Sequence, residues 1–426
     1  MKATIYLERM MHRDIISVPG ASAASYVLVK LIPSGAGEAT PPLHIALVLD
    51  VSGSMYEEDG TGQSRLQRIQ KAALAALDRL RPQDTLTVIA FARNAAILLP
   101  ATPLTQRAAI VETLDKIDRC DIDPGGTAMD EAMRCAYDEL RAHRAADRLS
   151  QMLVLTDGET SGEVACRELA SQMGQEKIRL TVMGVGTEWN ASLIKDLARL
   201  AQGTWYYIDA EDAQSAERAF DAEFQHLAAL LFSGVKVHLW PVRDVRVKRF
   251  RQVTPEIRTL DIVETEERHW VAAIGNLEKD RPARFVVELS LPARPDGQYV
   301  VAQLGLEYEL AGQVEKSALV PLLVTYRAAG PGPINAEVAR YIDEIQMYEM
   351  NEQMQQAIAS GDTAKVQQVA EKIVKKGEGL GPRAAKKTML ARQALGELGQ
   401  TGRVSRKTQL ALEDSARLAE EMPLPG

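Results

Sequence analysis

Residues His44–Met55 read HIALVLDVSGSM. An almost unbroken apolar run ends in an acid, Asp50, and a short loop of serine and glycine follows. Such a run is what a strand buried on both faces of a parallel sheet requires. The phrase returns at MLVLTDG (Met152–Gly158), where Asp157 closes the run. Between and beyond these two strands, helical and extended patterns alternate. Leu66, Ile69, Ala73, Leu77 and Leu80 recur at helical spacing until Pro82. TLTVIAFA (Thr85–Ala92) and AAILLP (Ala95–Pro100) are separated by two residues and predict a hairpin. Helices are expected around 105–118 and 127–144, then a strand at IRLTVMGVG, a helix from Asn190, a strand at TWYYID and a long helix near 211–231. This alternation predicts an α/β fold over residues 43–231: a doubly wound, mostly parallel, Rossmann-like sheet with helices on both faces.

Working outward, both flanks read as strands. Residues 1–42 supply two or three, among them KATIYLER and SYVLVKLI, and residues 232–328 supply about seven more. Two or three strands with one apolar face are marginal alone. The expectation is therefore one β-sandwich built from both flanks, with the α/β domain inserted between two of its strands. After AAGPGPIN (Ala328–Asn335), residues 333–422 read as a helical domain. Val338, Ile342, Ile345, Met350, Met354 and Ile358 form one stripe, Gly361 ends that helix and Asp362 caps the next. GEGLGP (Gly377–Pro382) reads as a break, with further helices over 383–398 and 405–421.

The chemistry sits at the strand ends. Ser52 and Ser54 follow Asp50, and Gly53 lets the loop turn tightly. GGTAM places Thr127 at the opening of a helix, and Asp157 ends the second buried strand. Ligands of open α/β sheets sit beyond the carboxyl ends of the strands, where strand order reverses. If the strands of Asp50 and Asp157 are neighbours there, two carboxylates and three hydroxyls converge. Hard oxygen donors without thiolate or imidazole suit Mg²⁺, with Mn²⁺ or Ca²⁺ as alternatives. One coordination position would stay open for a carboxylate from outside.

In these residues the chain resembles the von Willebrand factor type A (VWA) domain, whose metal-ion-dependent adhesion site (MIDAS) combines a DxSxS loop with a distant Thr and a distant Asp. The matching positions are Asp50, Ser52, Ser54, Thr127 and Asp157. GVGTEWNASLIKDLARLAQGTWYYID (Gly184–Asp209) also looks like the late strand–helix–strand of that family. The resemblance implies that Ser52 and Ser54 bind the ion directly, Thr127 directly or through water, and Asp50 and Asp157 mainly through water. It implies a non-enzymatic interaction module whose partner is a protein presenting Asp or Glu. The flanking sandwich and helical tail are similar to bacterial intracellular members of the family, which act with an AAA+ ATPase or with kinases and phosphatases.

The 426 residues are 46% hydrophobic and 25% charged, as in globular proteins, and carry a net charge of -8, which disfavours a broadly basic nucleic-acid binder. No apolar run reaches membrane-helix length, and charges interrupt the N-terminal stretch where a signal peptide is apolar. Cys120, Cys135 and Cys166 are odd in number and widely spaced, which points to buried free thiols and a cytoplasmic location. Glu57, Glu58 and Asp59 beyond the first loop, and Asp121 and Asp123 before Thr127, read as solvated loop acids that could attract a second cation. GVG at Gly184 fails the dinucleotide pattern, and no P-loop, HExxH or GxSxG motif occurs. A metal-dependent hydrolase or phosphatase is the alternative of another class, but no base adjoins Ser52 or Ser54 in sequence; a scaffold with a purely structural metal is a third. Eleven bases against three acids between Lys365 and Lys407 raise a basic docking face, with Arg383, Lys386 and Lys387 at its centre.

Overall fold

The strand Leu43–Asp50 is buried at every position and lies near the middle of a six-stranded sheet. In this computed structural model, residues 3–17, 23–35, 41–58, 62–145, 147–158, 160–310 and 312–417 are described. The sheet runs Ala95–Pro103, Thr85–Phe91, Leu43–Asp50, Leu149–Thr156, Ile178–Val185, Trp205–Ile208. Only the Thr85–Phe91 and Ala95–Pro103 pair is antiparallel, as the hairpin reading expected; the others are parallel. The Asp50 and Asp157 strands are direct neighbours, paired from Leu43–Leu149 to Leu49–Leu155. Chain order reverses between them, so both acids stand at the switch point. Helices Arg65–Ala76, Met129–Ala142, Glu163–Gln175, Ala191–Leu200 and Ser215–Ala229 accompany the sheet. On one side Ile69, Ala73, Phe220 and Phe224 pack with Leu47, Leu49 and Val88 in one core.

The chain divides into two compact units. One is residues 39–233 with 311–313; the other is residues 1–38, 234–310 and 314–426. In the second unit both flanks contribute to the same sheets. Thr4–Met11 and Ala23–Ser34 pair with each other, and residues 23–31 of the latter pair with Ala283–Leu291. A further short strand, Ile15–Ser17, runs parallel to Val320–Arg327 in the other sheet. Leu28 and Val29 are both fully buried although they point to opposite faces. The reason is a helix: Val338, Tyr341 and Ile345 of Ala336–Ala359 pack on Leu28, Val253 and Val286.

The C-terminal helices are Ala336–Ala359, Thr363–Leu380, Ala385–Thr401 and Arg406–Arg417. The expected break at GEGLGP is shorter than its sequence implies, because Gly377 and Gly379 are helical and only Gly381–Ala384 forms a tighter turn. Gly377 is there for proximity: a Cβ on it would stand 2.0 Å from Thr388 Oγ1 on the next helix. Among the described residues no helix is long and apolar enough to cross a membrane.

Candidate metal centre

Asp50 closes its strand fully buried, held by neutral donors of Ser52 and Thr156. The Ser52 backbone N–H donates to Oδ1 at 2.9 Å, and the Thr156 hydroxyl donates to Oδ2 at 2.7 Å. Burial pushes the Asp50 carboxyl up to about 6, against the pull of those hydrogen bonds. The chain of contacts continues without a gap. Ser52 Oγ lies 3.2 Å from Ser54 Oγ, and Ser54 Oγ donates to Asp157 Oδ1 at 2.8 Å. The second oxygen of Asp157 accepts from Arg65 Nη1 at 2.7 Å, and the Asp157 side chain has no exposure to solvent.

Three backbone arrangements bring the loops together. The Gly53 N–H donates to the Pro124 carbonyl at 3.0 Å, joining the DVSGS loop to the GGT loop. Gly126 takes a left-handed φ of +81°, which glycine adopts without strain, and Ala128 N–H then donates to Ala92 O at 2.7 Å. Thr160 Oγ1 donates to the Thr127 carbonyl at 2.9 Å. Thr127 thereby faces the TDG loop: a Cβ on Gly158 would lie 3.6 Å from Thr127 Oγ1. All five residues singled out by spacing therefore border one spot at the carboxyl end of the sheet.

The donor set fits a hard divalent cation. It offers two buried carboxylates and three hydroxyl oxygens, and the two lone pairs on each hydroxyl leave Ser52, Ser54 and Thr127 able to face a cation. A cation beside Asp50 would also offset the desolvation that now disfavours its charge. Among the described residues no three His, Cys, Asp or Glu side chains converge on a metal position, so hydroxyls carry much of this candidate site.

The loop acids fall elsewhere. Glu57 is exposed and lies 3.6 Å from Arg65 Nη2. Glu58 is exposed, and its backbone bridges to Ser64. Asp59 lies outside the described residues. Asp123 is bound to its own loop: Gly125 N–H donates to it at 2.9 Å and Arg93 pairs with it at 2.7 Å, which together hold its carboxyl below the ordinary range. Asp121 is exposed. On the helical tail, Lys386 is exposed and Arg383 half-buried, but Lys387 corrects the docking expectation. Its side chain is 7% exposed and its ammonium pairs with Glu344 at 2.6 Å, so no partner can reach it. The thiols also differ from expectation: Cys166 alone is buried, while Cys120 and Cys135 are intermediate, and all three are free.

Arg65, Thr156 and Thr160 escaped the sequence reading. Thr156 carried a signal, since it precedes Asp157 at the buried strand end. Arg65 carried another. Ser64 and Gln67 form a capping box that makes Arg65 the first residue of its helix, where the macrodipole disfavours a cation. Asp157 offsets that dipole.

Comparison with known proteins bears on the fold. The family model described as von Willebrand factor type A domain matches residues 45–159. An uncharacterized protein of Synechocystis sp. is 28% identical over 330 residues, covering 75% of each chain. The von Willebrand factor A domain-containing protein 5A of Rattus norvegicus is 26% identical over 174 residues, 40% of this chain and 21% of that protein. Among solved structures, a von Willebrand factor type A protein from Catenulispora acidiphila superposes with a TM-score of 0.78 at 16% identity, covering 98% of this chain and 97% of that one. The ArnB paralog VWA2 from Sulfolobus acidocaldarius gives 0.58 at 13% identity, covering 97% and 98%. These two likenesses are of fold, and they extend through the flanking sheets and the helical region.

Proposed function

We propose that this chain, which carries a von Willebrand factor type A domain, is a divalent-cation-dependent protein-interaction module and not an enzyme. The observation that carries the reading is the unbroken run of contacts from Thr156 through Asp50, Ser52 and Ser54 to Asp157. Ser52, Ser54 and Thr127 would hold Mg²⁺ through their hydroxyls, with Asp50 and Asp157 supplying the balancing charge behind them. When bound, the ion supplies a positively charged coordination position open to a carboxylate of a partner protein. The protein's own part is to preorganise the hydroxyls. Asp50 fixes the turn through the Ser52 N–H, and Asp157 orients Ser54. A hydrolase would need a base on one of these serines. Ser52 meets Ser54, and Ser54 meets an acid whose other oxygen is held by Arg65.

The partner class that fits is an acidic protein surface; by family resemblance it would belong to an AAA+ ATPase or a kinase and phosphatase system. Three free thiols favour a reducing, cytoplasmic setting. Arg383 and Lys386 remain available for a second contact.

The test is metal-dependent capture. Wild type and Asp50→Ala are titrated with Mg²⁺ by calorimetry, then used to capture lysate proteins with and without EDTA. Partners retained only by metal-loaded wild type support the reading. A wild type that binds no Mg²⁺, or identical captures in every lane, would refute it.

A further inference from the structure

The metal reading leaves Arg65 unused, although its guanidinium touches one of the five residues. It is 2.7 Å from Asp157 Oδ2, and its side chain is only 18% exposed. Gly186 lies beside it: a Cβ there would be 3.9 Å from Arg65 Cζ. Its only other acidic neighbour among the described ion pairs is Glu57 at 3.6 Å, on the exposed rim.

We propose that Arg65 couples cation binding to ligand binding, so that the cation is held more tightly when an outside carboxylate arrives with it. This rests on the metal reading above and adds to it. Among the groups shielded from water, Asp50 and Asp157 carry two negative charges and Arg65 returns one positive charge to the same spot, whereas Glu57 is 66% exposed and screened by solvent. A divalent ion then leaves one positive charge over, which a single incoming carboxylate neutralises. Without Arg65 the ion alone would neutralise the site, and a carboxylate would bring excess negative charge. Arg65 therefore weakens the first binding step and strengthens the second. Coupling of this kind is reciprocal, so ligand raises metal affinity by the factor by which metal raises ligand affinity.

Geometry supports the same conclusion. Both oxygens of Asp157 are occupied by donors of this chain, Ser54 on Oδ1 and Arg65 on Oδ2. Asp157 is thus kept as a positioning residue behind Ser54. The guanidinium is also a poor occupant of a helix start on its own account, since the macrodipole is positive there. A purely structural salt bridge would tie the helix Arg65–Ala76 to the sheet but would leave the metal–ligand coupling untouched.

The experiment titrates the full chain with Mn²⁺ by calorimetry, first in chloride and then with acetate replacing chloride at constant ionic strength. Wild type, Arg65→Gln, Arg65→Met, Arg65→Lys and Asp50→Ala are compared. The two neutral variants should bind Mn²⁺ on the order of tenfold tighter than wild type in chloride, from removal of one nearby positive charge. Acetate should raise Mn²⁺ affinity in wild type and Arg65→Lys but not in the neutral variants. If one neutral variant misfolds by circular dichroism, the other carries the comparison. Equal Mn²⁺ affinity in wild type and the neutral variants, or an equal acetate effect in all, overturns the role of Arg65 while the metal reading stands. No Mn²⁺ binding by wild type beyond that of Asp50→Ala removes both.

Discussion

Thr156 donates its hydroxyl to Asp50 Oδ2 across 2.7 Å, from the neighbouring strand of the sheet. The Ser52 and Thr156 hydroxyls and one backbone N–H are uncharged company for a carboxylate with no solvent exposure. Burying a charge is unfavourable unless it is paired, so a neutral isostere relieves a desolvation cost. Asp50→Asn keeps the shape, because Asn can still accept from Ser52 N–H while Thr156 turns to donate to Gly158 O. In EDTA the variant should therefore be at least as stable as wild type. In Mg²⁺ the order should reverse. Ligand at about a hundred times its dissociation constant adds about 2.7 kcal/mol to a protein that binds it, and Asp50→Asn should gain nothing. Differential scanning fluorimetry with and without Mg²⁺ checks both halves. A destabilised variant in EDTA would count against the argument.

His44 gives a pH dependence with a definite sign. It is fully buried, its Nε2 meets Thr87 Oγ1 at 2.9 Å, and its Nδ1 has no partner. Burial first, then the nearby His143 and Arg148, lower its pKa from 6.5 to about 4. The folded state resists protonation, so the unfolded state binds more protons between these values. Stability is full above pH 6.5 and falls as pH drops toward about 4, by on the order of 3 kcal/mol. Asp50 acts in the opposite sense over part of the window, since its raised pKa makes rising pH unfavourable. The informative quantity is therefore the difference between wild type and His44→Gln. Urea denaturation at several pH values should show wild type losing ground to the variant on acidification. Parallel profiles would show that His44 is not the group responsible.

What could be read ahead of the structure follows a physical pattern. HIALVLD and MLVLTDG were legible because a strand buried on both faces must be apolar throughout, so an acid at its end stands out. Asp50, Ser52 and Ser54 share one loop, and their convergence with Asp157 needed only the order of the strands. The Arg65–Asp157 pair spans 92 residues and the Lys387–Glu344 pair spans 43. A charge on an amphipathic helix reads the same whether it meets water or a buried acid. Only the packing of a second element tells them apart, and that is a long-range fact. The flanks were legible for a different reason: two or three N-terminal strands could not stand alone.

Gly377 and Gly379 look alike in sequence, and substitution should separate them with opposite signs. Alanine at Gly377 would put its Cβ 2.0 Å from Thr388 Oγ1, whereas at Gly379 it meets nothing within 4 Å. Both glycines lie in the helix Thr363–Leu380. Gly377→Ala should destabilise the helical region by about 1–3 kcal/mol through overpacking. Gly379→Ala should stabilise it by about 0.5–1 kcal/mol through helix propensity. Hydrogen exchange of the amides in Thr363–Leu380 and Ala385–Thr401 reads each change locally. Two shifts of the same sign would show that the close approach to Thr388 does not decide the matter.

The buried pair of Lys387 and Glu344 allows a last test. Their side chains are 7% and 8% exposed, and the ammonium and carboxylate lie 2.6 Å apart. Each charge is tolerated only because the other is present. Removing one leaves the other buried and unpaired, which typically costs about 3–5 kcal/mol. Replacing both by apolar residues of similar size removes the desolvation penalty together with the attraction. Lys387→Met and Glu344→Leu should therefore each destabilise the helical region strongly, and the double variant should recover most of the loss. A double-mutant cycle on urea midpoints measures this directly. Additive losses would mean that the two groups do not depend on one another.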